Sequence, residues 1–308
     1  MTSGKEPLLQ VRDLVQEFVV RDYGGVKGGV VHAVSGVSFT VWPGETLGIV
    51  GETGSGKSTL ARSVLQAPRP RKGTVTFRGT DLVKLRGSRL LQARRHRVDQ
   101  VLELVGLDPA AHGGRRPREL SGGQAQRVAI ARALAIEPAM IICDEPVSSL
   151  DVLIQAQVLN LFERLRAELG LSYLFIAHDL ALVKQVSDRV AVMYLGKLCE
   201  TGPGEEVYRQ PLHPYTKALL DSVPGTATAG AATKTIRGEP PSPVHPPSGC
   251  RFRTRCPRAE QRCADEEPAM RELPTGHTAG HSVACHFPLV PAADSPARSE
   301  EKIGENPR

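Results

Sequence analysis

Apolar and polar positions alternate with two different periods along this chain. Residues 8–20 alternate at every second position, which predicts an edge strand, and a second strand is predicted over residues 30–41. A short, mostly apolar run over residues 46–50 predicts a buried strand that leads into a helix beginning at Ser58. The remaining predicted elements are strands over residues 73–78, 139–143 and 172–177 and helices over residues 81–105, 121–135, 154–169 and 181–186. Strands that alternate with helices predict an α/β fold with parallel strands at the centre of its sheet.

The composition changes twice toward the C-terminus. After residue 222 the chain becomes rich in Pro, Gly, Ala and Thr, which predicts a linker over residues 223–248. Residues 249–290 hold four of the six cysteines and are interpreted as a small Cys-rich extension. Residues 291–308 have the composition of a disordered tail. We therefore predict one large domain over residues 1–222 with one appendage.

Length and charge limit the classes of protein that this chain can be. The net charge is +6, from 39 Lys and Arg against 33 Asp and Glu. The arginines are scattered and no aromatic platform accompanies them, so we expect no nucleic-acid partner. The chain has no run of about 18 apolar residues and no apolar signal stretch at its N-terminus. We expect any membrane association to occur through a docked partner.

Residues 51–58 read Gly-Glu-Thr-Gly-Ser-Gly-Lys-Ser, which matches the phosphate-binding loop pattern in full. The glycines allow backbone amides to approach phosphates, and the helix that follows adds the positive end of its dipole. Lys57 would supply charge to the outer phosphates, and the hydroxyl of Ser58 would hold Mg²⁺. The predicted ligand is ATP with Mg²⁺, and the predicted contacts are Gly51, Gly54, Ser55, Gly56, Lys57, Ser58 and Thr59.

An acidic pair, Asp144 and Glu145, follows the apolar run over residues 139–143. Carboxylates at the end of a buried strand cost free energy unless a cation or a reaction uses them. Asp144 is predicted to hold Mg²⁺ together with Ser58, and Glu145 to orient or deprotonate a water molecule. Such a pair alone is also a common helix cap, and the phosphate-binding loop is what favours the nucleotide site.

A second glycine-containing loop precedes the helix predicted over residues 121–135. Residues 120–124 read Leu-Ser-Gly-Gly-Gln, which resembles the signature loop of ABC ATPases. A hydroxyl and glycine amides at a helix N-terminus form a phosphate-facing surface. In that family this loop acts on ATP held by a partner subunit, so the resemblance implies a head-to-tail dimer. The residues concerned are Ser121, Gly122, Gly123 and Gln124.

Two further motifs follow in the order that the family has them. Residues 148–151 read Ser-Ser-Leu-Asp and resemble the D-loop, which implies D-loop roles for Ser149 and Asp151. Residues 176–179 resemble the switch-histidine motif, in which His178 would reach the γ-phosphate. The resemblance thus implies catalytic roles for Glu145 and His178. Phe18 stands where the family places the aromatic that stacks on adenine, and a core-facing strand residue is the alternative for it.

The resemblance covers residues 9–287 and is closest to the oligopeptide, dipeptide and nickel importer branch. Residues 191–196, residues 213–219 and the Cys-rich tail look like that branch, and residues 32–39 look like its second ATPase subunit. The implied fold is a P-loop NTPase with an antiparallel β subdomain and a shortened helical subdomain over about residues 81–135. The implied function is ATP hydrolysis that energises import of oligopeptides or dipeptides.

The branch also implies partners and a location. These are a second ATPase subunit or a second copy of this chain, two transmembrane permease subunits and, indirectly, an extracytoplasmic substrate-binding protein. The implied location is the cytoplasmic face of the cell membrane, as a peripheral subunit. The alternatives are an importer of nickel or another small solute, a nucleotide-binding subunit with impaired hydrolysis, and a soluble ABC ATPase outside transport.

The sequence departs from the family between Lys57 and Ser121. Only 64 positions separate them, and the Q-loop with its preceding strand is predicted to be absent. Gln92 and Gln100 lie in helical patterns and receive no Q-loop role. Because that glutamine contacts Mg²⁺ and the attacking water, we predict that nucleotide binding survives while hydrolysis and transport coupling are impaired.

The six cysteines divide into two groups. Cys143 and Cys199 lie in apolar runs and are predicted to be small buried hydrophobes. The other four are separated by 5, 6 and 21 residues, wider than the two to four typical of paired zinc ligands. The resemblance favours a [4Fe–4S] cluster on Cys250, Cys256, Cys263 and Cys285, with Zn²⁺ and free thiols as alternatives. His277, His281 and His286 keep a mixed zinc site open.

Overall fold

The computed structural model describes residues 6–20, 29–81, 98–148, 150–222, 236, 238–273 and 280–289. Ser149, most of the predicted linker and the tail from residue 290 lie outside the described residues, as do Gln92 and the first part of the helix predicted over residues 81–105. The predictions made for those segments therefore stay predictions.

An antiparallel sheet of four strands forms the N-terminal part of the fold. The strands are β1 (Leu9–Val20), β2 (Gly29–Val41), β4 (Lys72–Phe77) and β5 (Thr80–Asp81), in the order β2-β1-β4-β5. The prediction of an edge strand for residues 8–20 is wrong, because β1 pairs with both β2 and β4. Alternating hydrophobicity reports which face of a strand is buried and carries no information on which edge is paired.

A second, mixed sheet forms the centre of the molecule. Among the described strands its order is β10-β11-β9-β8-β3-β7-β6. The strands are β3 (Thr46–Val50), β6 (Met140–Asp144), β7 (Ser172–Ile176), β8 (Arg189–Tyr194), β9 (Lys197–Pro203), β10 (Arg271–Glu272) and β11 (Ser282–Val283). Strands β8, β3, β7 and β6 are mutually parallel, which confirms the predicted α/β class with a parallel centre.

The predicted helices occur within one or two residues of their expected limits where the structure describes them. The helices are α1 (Lys57–Val64), α2 (Val98–Leu104), α3 (Pro109–His112), α4 (Gly122–Leu134), α5 (Val152–Leu169), α6 (Leu180–Val186), α7 (Gly204–Arg209), α8 (Pro214–Asp221) and α9 (Arg262–Asp265). Asp151 caps the start of α5 by accepting a hydrogen bond from the amide of Ile154 at 3.0 Å. Gly170, with φ +64°, ends the same helix in the left-handed conformation.

Two hydrophobic cores lie on opposite faces of the central sheet. On β7, Tyr173 and Phe175 belong to the core under α5, where both rings pack edge-on against Phe162. Leu174 and Ile176 belong to the other core, between the sheet, α1 and the antiparallel strands. Successive strand residues point to opposite faces, so β7 is covered on both sides, as parallel strands require.

Strand β6 forms one edge of the central sheet among the described strands. It pairs with β7 alone, and its residues Met140, Ile141 and Ile142 are only half-buried. An apolar strand with an open edge is unusual, because unpaired backbone groups remain on that side. The open edge is therefore compatible with the predicted absence of a strand from the core sheet.

Glu200 on β9 contacts the segment over residues 249–290, which is the predicted Cys-rich extension. Its buried carboxylate accepts hydrogen bonds from the amides of Leu212 and His213 at 2.8 Å each and contacts His281 Nε2 at 2.7 Å. Next to His281, strand β11 pairs with β9 through Val283 and Glu200. The extension thereby adds strands to the central sheet.

We expect Glu200→Ala to lower the free energy of unfolding by about 3 kcal/mol, because it leaves several buried donors without an acceptor. Urea denaturation of the full chain measures this difference. Glu205→Ala, which removes an exposed carboxylate from α7, is the matched control and should change stability by less than about 0.5 kcal/mol. Equal stabilities of the two variants would contradict the role given to Glu200.

Candidate nucleotide-binding site

The loop over residues 51–56 joins β3 to α1 and requires glycine at two positions. A Cβ on Gly51 would lie 2.1 Å from the carbonyl oxygen of Met193, and one on Gly56 would lie 2.1 Å from that of Ala33. Gly56 also has φ +103° at the N-cap of α1. Both glycines therefore allow the loop to pass against β2 and β8 with its amides at the helix N-terminus. Gly54 has φ +80° with open space around it.

Lys57 points back into the loop that precedes it. Its Nζ donates to the carbonyl oxygens of Gly51 at 2.8 Å and Glu52 at 3.0 Å, and the residue is 5% exposed. Burial lowers the pKa of the ammonium, and nearby carboxylates, Glu145 first among them, oppose that shift. A buried ammonium surrounded by loop carbonyls is suited to bind an anion that enters the loop.

Ser58 and Asp144, the predicted Mg²⁺ ligands, are in direct contact. The Ser58 hydroxyl donates to Asp144 Oδ1 at 2.8 Å, which joins the first turn of α1 to the end of β6. A hydroxyl and a carboxylate are oxygen donors of the type that Mg²⁺ prefers. The buried hydroxyl of Ser55 has no hydrogen-bond partner among the described residues, so the loop also holds a polar group that a phosphate can satisfy. Thr59 follows in the same turn of α1.

Glu145 and His178 lie at the same edge of the sheet. His178 Nδ1 is 3.5 Å from Glu145 Oε1, and both side chains are partly exposed. The Glu145 amide donates to the carbonyl of Ile176 at 2.9 Å, which fixes the end of β6 against the end of β7. The structure thus brings together the two residues predicted to be catalytic, with a carboxylate that faces solvent.

The predicted signature loop forms the N-terminus of α4. Ser121 Oγ accepts from the Gln124 amide at 3.3 Å, and the Gln124 side chain accepts from the Ser121 amide at 3.0 Å. This reciprocal pair is a capping box. A Cβ on Gly123 would lie 2.7 Å from the Ile154 side chain, and one on Gly122 would lie 3.1 Å from the Leu150 side chain. The loop is therefore packed closely against those two residues, and the Ser121 hydroxyl is engaged in capping its own helix.

The predicted D-loop residue Asp151 caps α5, and Ser149 lies outside the described residues. Directly after Asp151, Val152 and Leu153 are 78% and 77% exposed. Two adjacent aliphatic side chains are therefore open to solvent beside the predicted D-loop.

Phe18 is 39% exposed, so the alternative of a core-facing residue is wrong. Its strand partner is Val31 on β2, two residues from Ala33, whose carbonyl approaches Gly56 of the phosphate-binding loop. The exposed ring therefore lies on strands that border the loop, which is compatible with the predicted contact to adenine.

Cys143 and Cys199 are buried, as predicted, and burial raises the pKa of both thiols. The other four cysteines line one cavity of about 10 Å³ together with His286. Burial, and to a lesser degree the three other thiols, raises the pKa of Cys285 to about 11. No group of three or more His, Cys, Asp or Glu close enough to hold a metal ion occurs among the described residues. The four thiols thus line the same cavity, but they are not arranged closely enough to bind one metal ion.

Two of the three histidines considered as zinc ligands are not at this cavity in the described structure. His277 lies outside the described residues, and His281 contacts Glu200.

Sequence reasoning missed three residues that support the phosphate-binding loop. Glu52 occupies a variable position of the loop pattern, and it contacts Tyr215 and Arg255. Two sequence signals pointed to these residues: Tyr215 lies in the motif over residues 213–219, and Arg255 directly precedes Cys256.

Comparisons with known proteins identify families and solved structures that this chain resembles. The chain matches the ABC transporter family over residues 34–96 and 84–148 and the family described as oligopeptide/dipeptide transporter, C-terminal region, over residues 199–263. In structure it is similar to cbiO1 of Clostridium perfringens (25% identity, TM-score 0.54, 67% of this chain and 92% of that chain). It also resembles a nucleotide-free ATP-binding cassette (24% identity, TM-score 0.56, 66% and 94%). Fold and site together define an ABC-type ATP-binding cassette.

The relatives by sequence narrow the assignment. The oligopeptide transport ATP-binding protein AppF of Bacillus subtilis is 42% identical over 331 residues, covering 92% of this chain and 98% of the relative. OppF of Escherichia coli is also 42% identical over 331 residues, covering 92% and 97%. The chain belongs to the family of oligopeptide transport ATP-binding proteins. Within the described residues, no helix combines the length and apolar character needed to span a membrane.

We expect Asp144→Asn to abolish the increase in nucleotide affinity that Mg²⁺ gives, because the substitution removes a charged oxygen ligand. Affinity in EDTA should stay within about twofold of the wild type, since the phosphate contacts of Lys57 remain. Titration of a fluorescent ATP analogue with and without Mg²⁺ measures both values. An unchanged Mg²⁺ effect in the variant would exclude Asp144 as a ligand.

Proposed function

We propose that this chain is the ATP-hydrolysing subunit of an ABC importer for oligopeptides or dipeptides. The observation that carries the proposal is the convergence of the phosphate-binding loop, Asp144, Glu145 and His178 at one sheet edge. The relatives AppF and OppF, named for oligopeptide transport, support the peptide class of cargo.

The proposed mechanism uses the residues at that edge. Loop amides and Lys57 hold the phosphates of ATP. Ser58 and Asp144 would hold Mg²⁺, which would supply positive charge to the phosphate oxygens. Glu145 orients the attacking water and accepts its proton, and His178 contacts the γ-phosphate. Catalysis is then mainly positioning and charge stabilisation.

The proposed assembly is a head-to-tail dimer with a second ATPase subunit or a second copy of this chain. The exposed pair Val152 and Leu153, beside the predicted D-loop, supports such an interface. The signature loop of one subunit faces the ATP of the other. Two transmembrane permease subunits and an extracytoplasmic binding protein complete the importer, and this chain lies on the cytoplasmic face of the membrane.

A second candidate is the same subunit with slow hydrolysis. The alignment with AppF extends over 331 residues, more than the 308 of this chain, so the relative has residues without counterparts here. The ABC transporter family matches in two stretches, residues 34–96 and 84–148, which overlap over residues 84–96. Together with the edge position of β6 among the described strands, these observations support the predicted loss of the Q-loop and its strand.

We also propose that Cys250, Cys256, Cys263 and Cys285 are ligands of a [4Fe–4S] cluster, or of Zn²⁺. Four thiols that line one cavity are a suitable donor set for either. At about 10 Å³ the cavity is close to the size of a single water, so the thiols would have to rearrange to hold either group.

We expect Glu145→Gln to reduce ATP turnover by at least about 100-fold with nucleotide affinity unchanged, because it removes the base and keeps the phosphate contacts. Steady-state phosphate release and nucleotide titration, each with the partner subunits present, separate the two effects. A variant that hydrolyses ATP like the wild type would contradict the role of Glu145.

The wild type in the same assay decides between the two candidates. Rapid hydrolysis coupled to peptide uptake in proteoliposomes supports the ordinary ATPase. Nucleotide binding with negligible turnover and uptake supports the hydrolysis-impaired subunit.

Metal analysis after anaerobic purification tests the cysteine proposal. A cluster predicts about four irons and four sulfides per chain, and the alternative predicts about one zinc. Cys256→Ser should lower the bound metal, whereas Cys143→Ser, at a buried thiol elsewhere, should retain it. A wild-type chain without iron or zinc would overturn the proposal.

A further inference from the structure

A part-buried ion pair joins the Cys-rich extension to the phosphate-binding loop. The guanidinium of Arg255 donates to Glu52 through Nη1 to Oε2 at 2.8 Å and through Nη2 to Oε1 at 3.2 Å. The side chains of Arg255 and Glu52 are 6% and 23% exposed. A bidentate pair fixes the orientation of both groups as well as their distance.

Glu52 is held at three points. Its amide donates to the hydroxyl of Tyr215 at 2.9 Å, its carbonyl accepts from Lys57 Nζ at 3.0 Å, and its carboxylate binds Arg255. The position of Glu52 therefore determines where a carbonyl ligand of the Lys57 ammonium lies. The phosphate-loop pattern itself specifies no residue at this position, so its carboxylate is free to serve another contact.

The segment that carries Arg255 is anchored on the large domain. Arg251 donates to the carbonyl of Leu195, and Phe252 packs edge-on against Tyr194 with ring centroids 5.2 Å apart. Because Phe252 is 2% exposed and lies in the main hydrophobic core, the segment cannot shift without opening that core. The backbone that carries Arg255 is thus held in place beside the phosphate-binding loop.

We propose that Arg255 is a positioning residue for the phosphate-binding loop, through which the Cys-rich extension sets the nucleotide affinity of the cassette. The inference rests on the proposed nucleotide site. Cys250 and Cys256 bracket the anchored segment, and both line the cavity of the four thiols. The extension is therefore part of the ATP site, although it lies about 200 residues beyond the loop in sequence.

The test is a double-mutant cycle on Arg255→Gln and Glu52→Gln in the full chain, with a fluorescent ATP analogue and Mg²⁺. Each single variant should weaken nucleotide affinity by about tenfold, and the double variant should be no weaker than the worse single one. Arg255→Lys retains one charged donor and should recover part of the loss. With the partner subunits, the KM for ATP should rise while kcat stays within about twofold.

Arg253→Gln is the matched control. Arg253 lies in the same segment, and its guanidinium donates only to Ser248 in the contacts that the structure describes, so loss of that side chain should leave nucleotide affinity unchanged. Thermal melting identifies any variant that fails to fold. If Arg255→Gln does not fold, the comparison of Glu52→Gln with the wild type still decides, because that change leaves the extension intact.

The outcomes separate this inference from the proposed function. Wild-type affinity in both single variants, or losses that multiply in the double variant, would overturn the positioning role of Arg255 while wild-type binding still supports the ATP site. A wild-type chain that binds no nucleotide would overturn the proposed function and this inference together.

Discussion

Parallel pairing of β8, β3, β7 and β6 is the constraint on which the candidate site depends. Parallel strands end at a common edge, so the loop after β3, the acids after β6 and the histidine after β7 must lie side by side. Nothing in the local sequence of any one segment places Ser58 within 2.8 Å of Asp144. The pairing of the strands brings Ser58 and Asp144 together. The buried ammonium of Lys57 lies at the same sheet edge and points into the phosphate-binding loop.

The support for this edge comes from distant parts of the chain. The loop passes against β2 and β8, where side chains on Gly51 and Gly56 would collide with backbone carbonyls. On its other side, Tyr215 and Arg255 hold Glu52. Glu200, in turn, holds the chain near Tyr215 and the extension on β9. The Cys-rich extension thereby shares hydrogen bonds and a β-sheet with the ATP-binding cassette.

Much of this arrangement could be predicted from local pattern. Strand and helix periods gave the α/β class, and the motif around Lys57 gave the phosphate-binding loop with its flanking elements. Long-range pairing could not be predicted in the same way. Alternation over residues 8–20 reports a buried face, so it did not reveal that β1 is central. The Arg255–Glu52 pair spans residues with no shared motif, and the separation of the four thiols depends on loop geometry that spacing alone does not define.

The central claim, that Lys57 and the loop around it bind the phosphates of ATP, is tested most directly by substituting that ammonium. A fluorescent ATP analogue is titrated into the wild-type chain and into Lys57→Ala, with circular dichroism to establish that both are folded. We expect saturable binding to the wild type and a loss of affinity of at least about tenfold in the variant. Equal affinity in two folded proteins would contradict it.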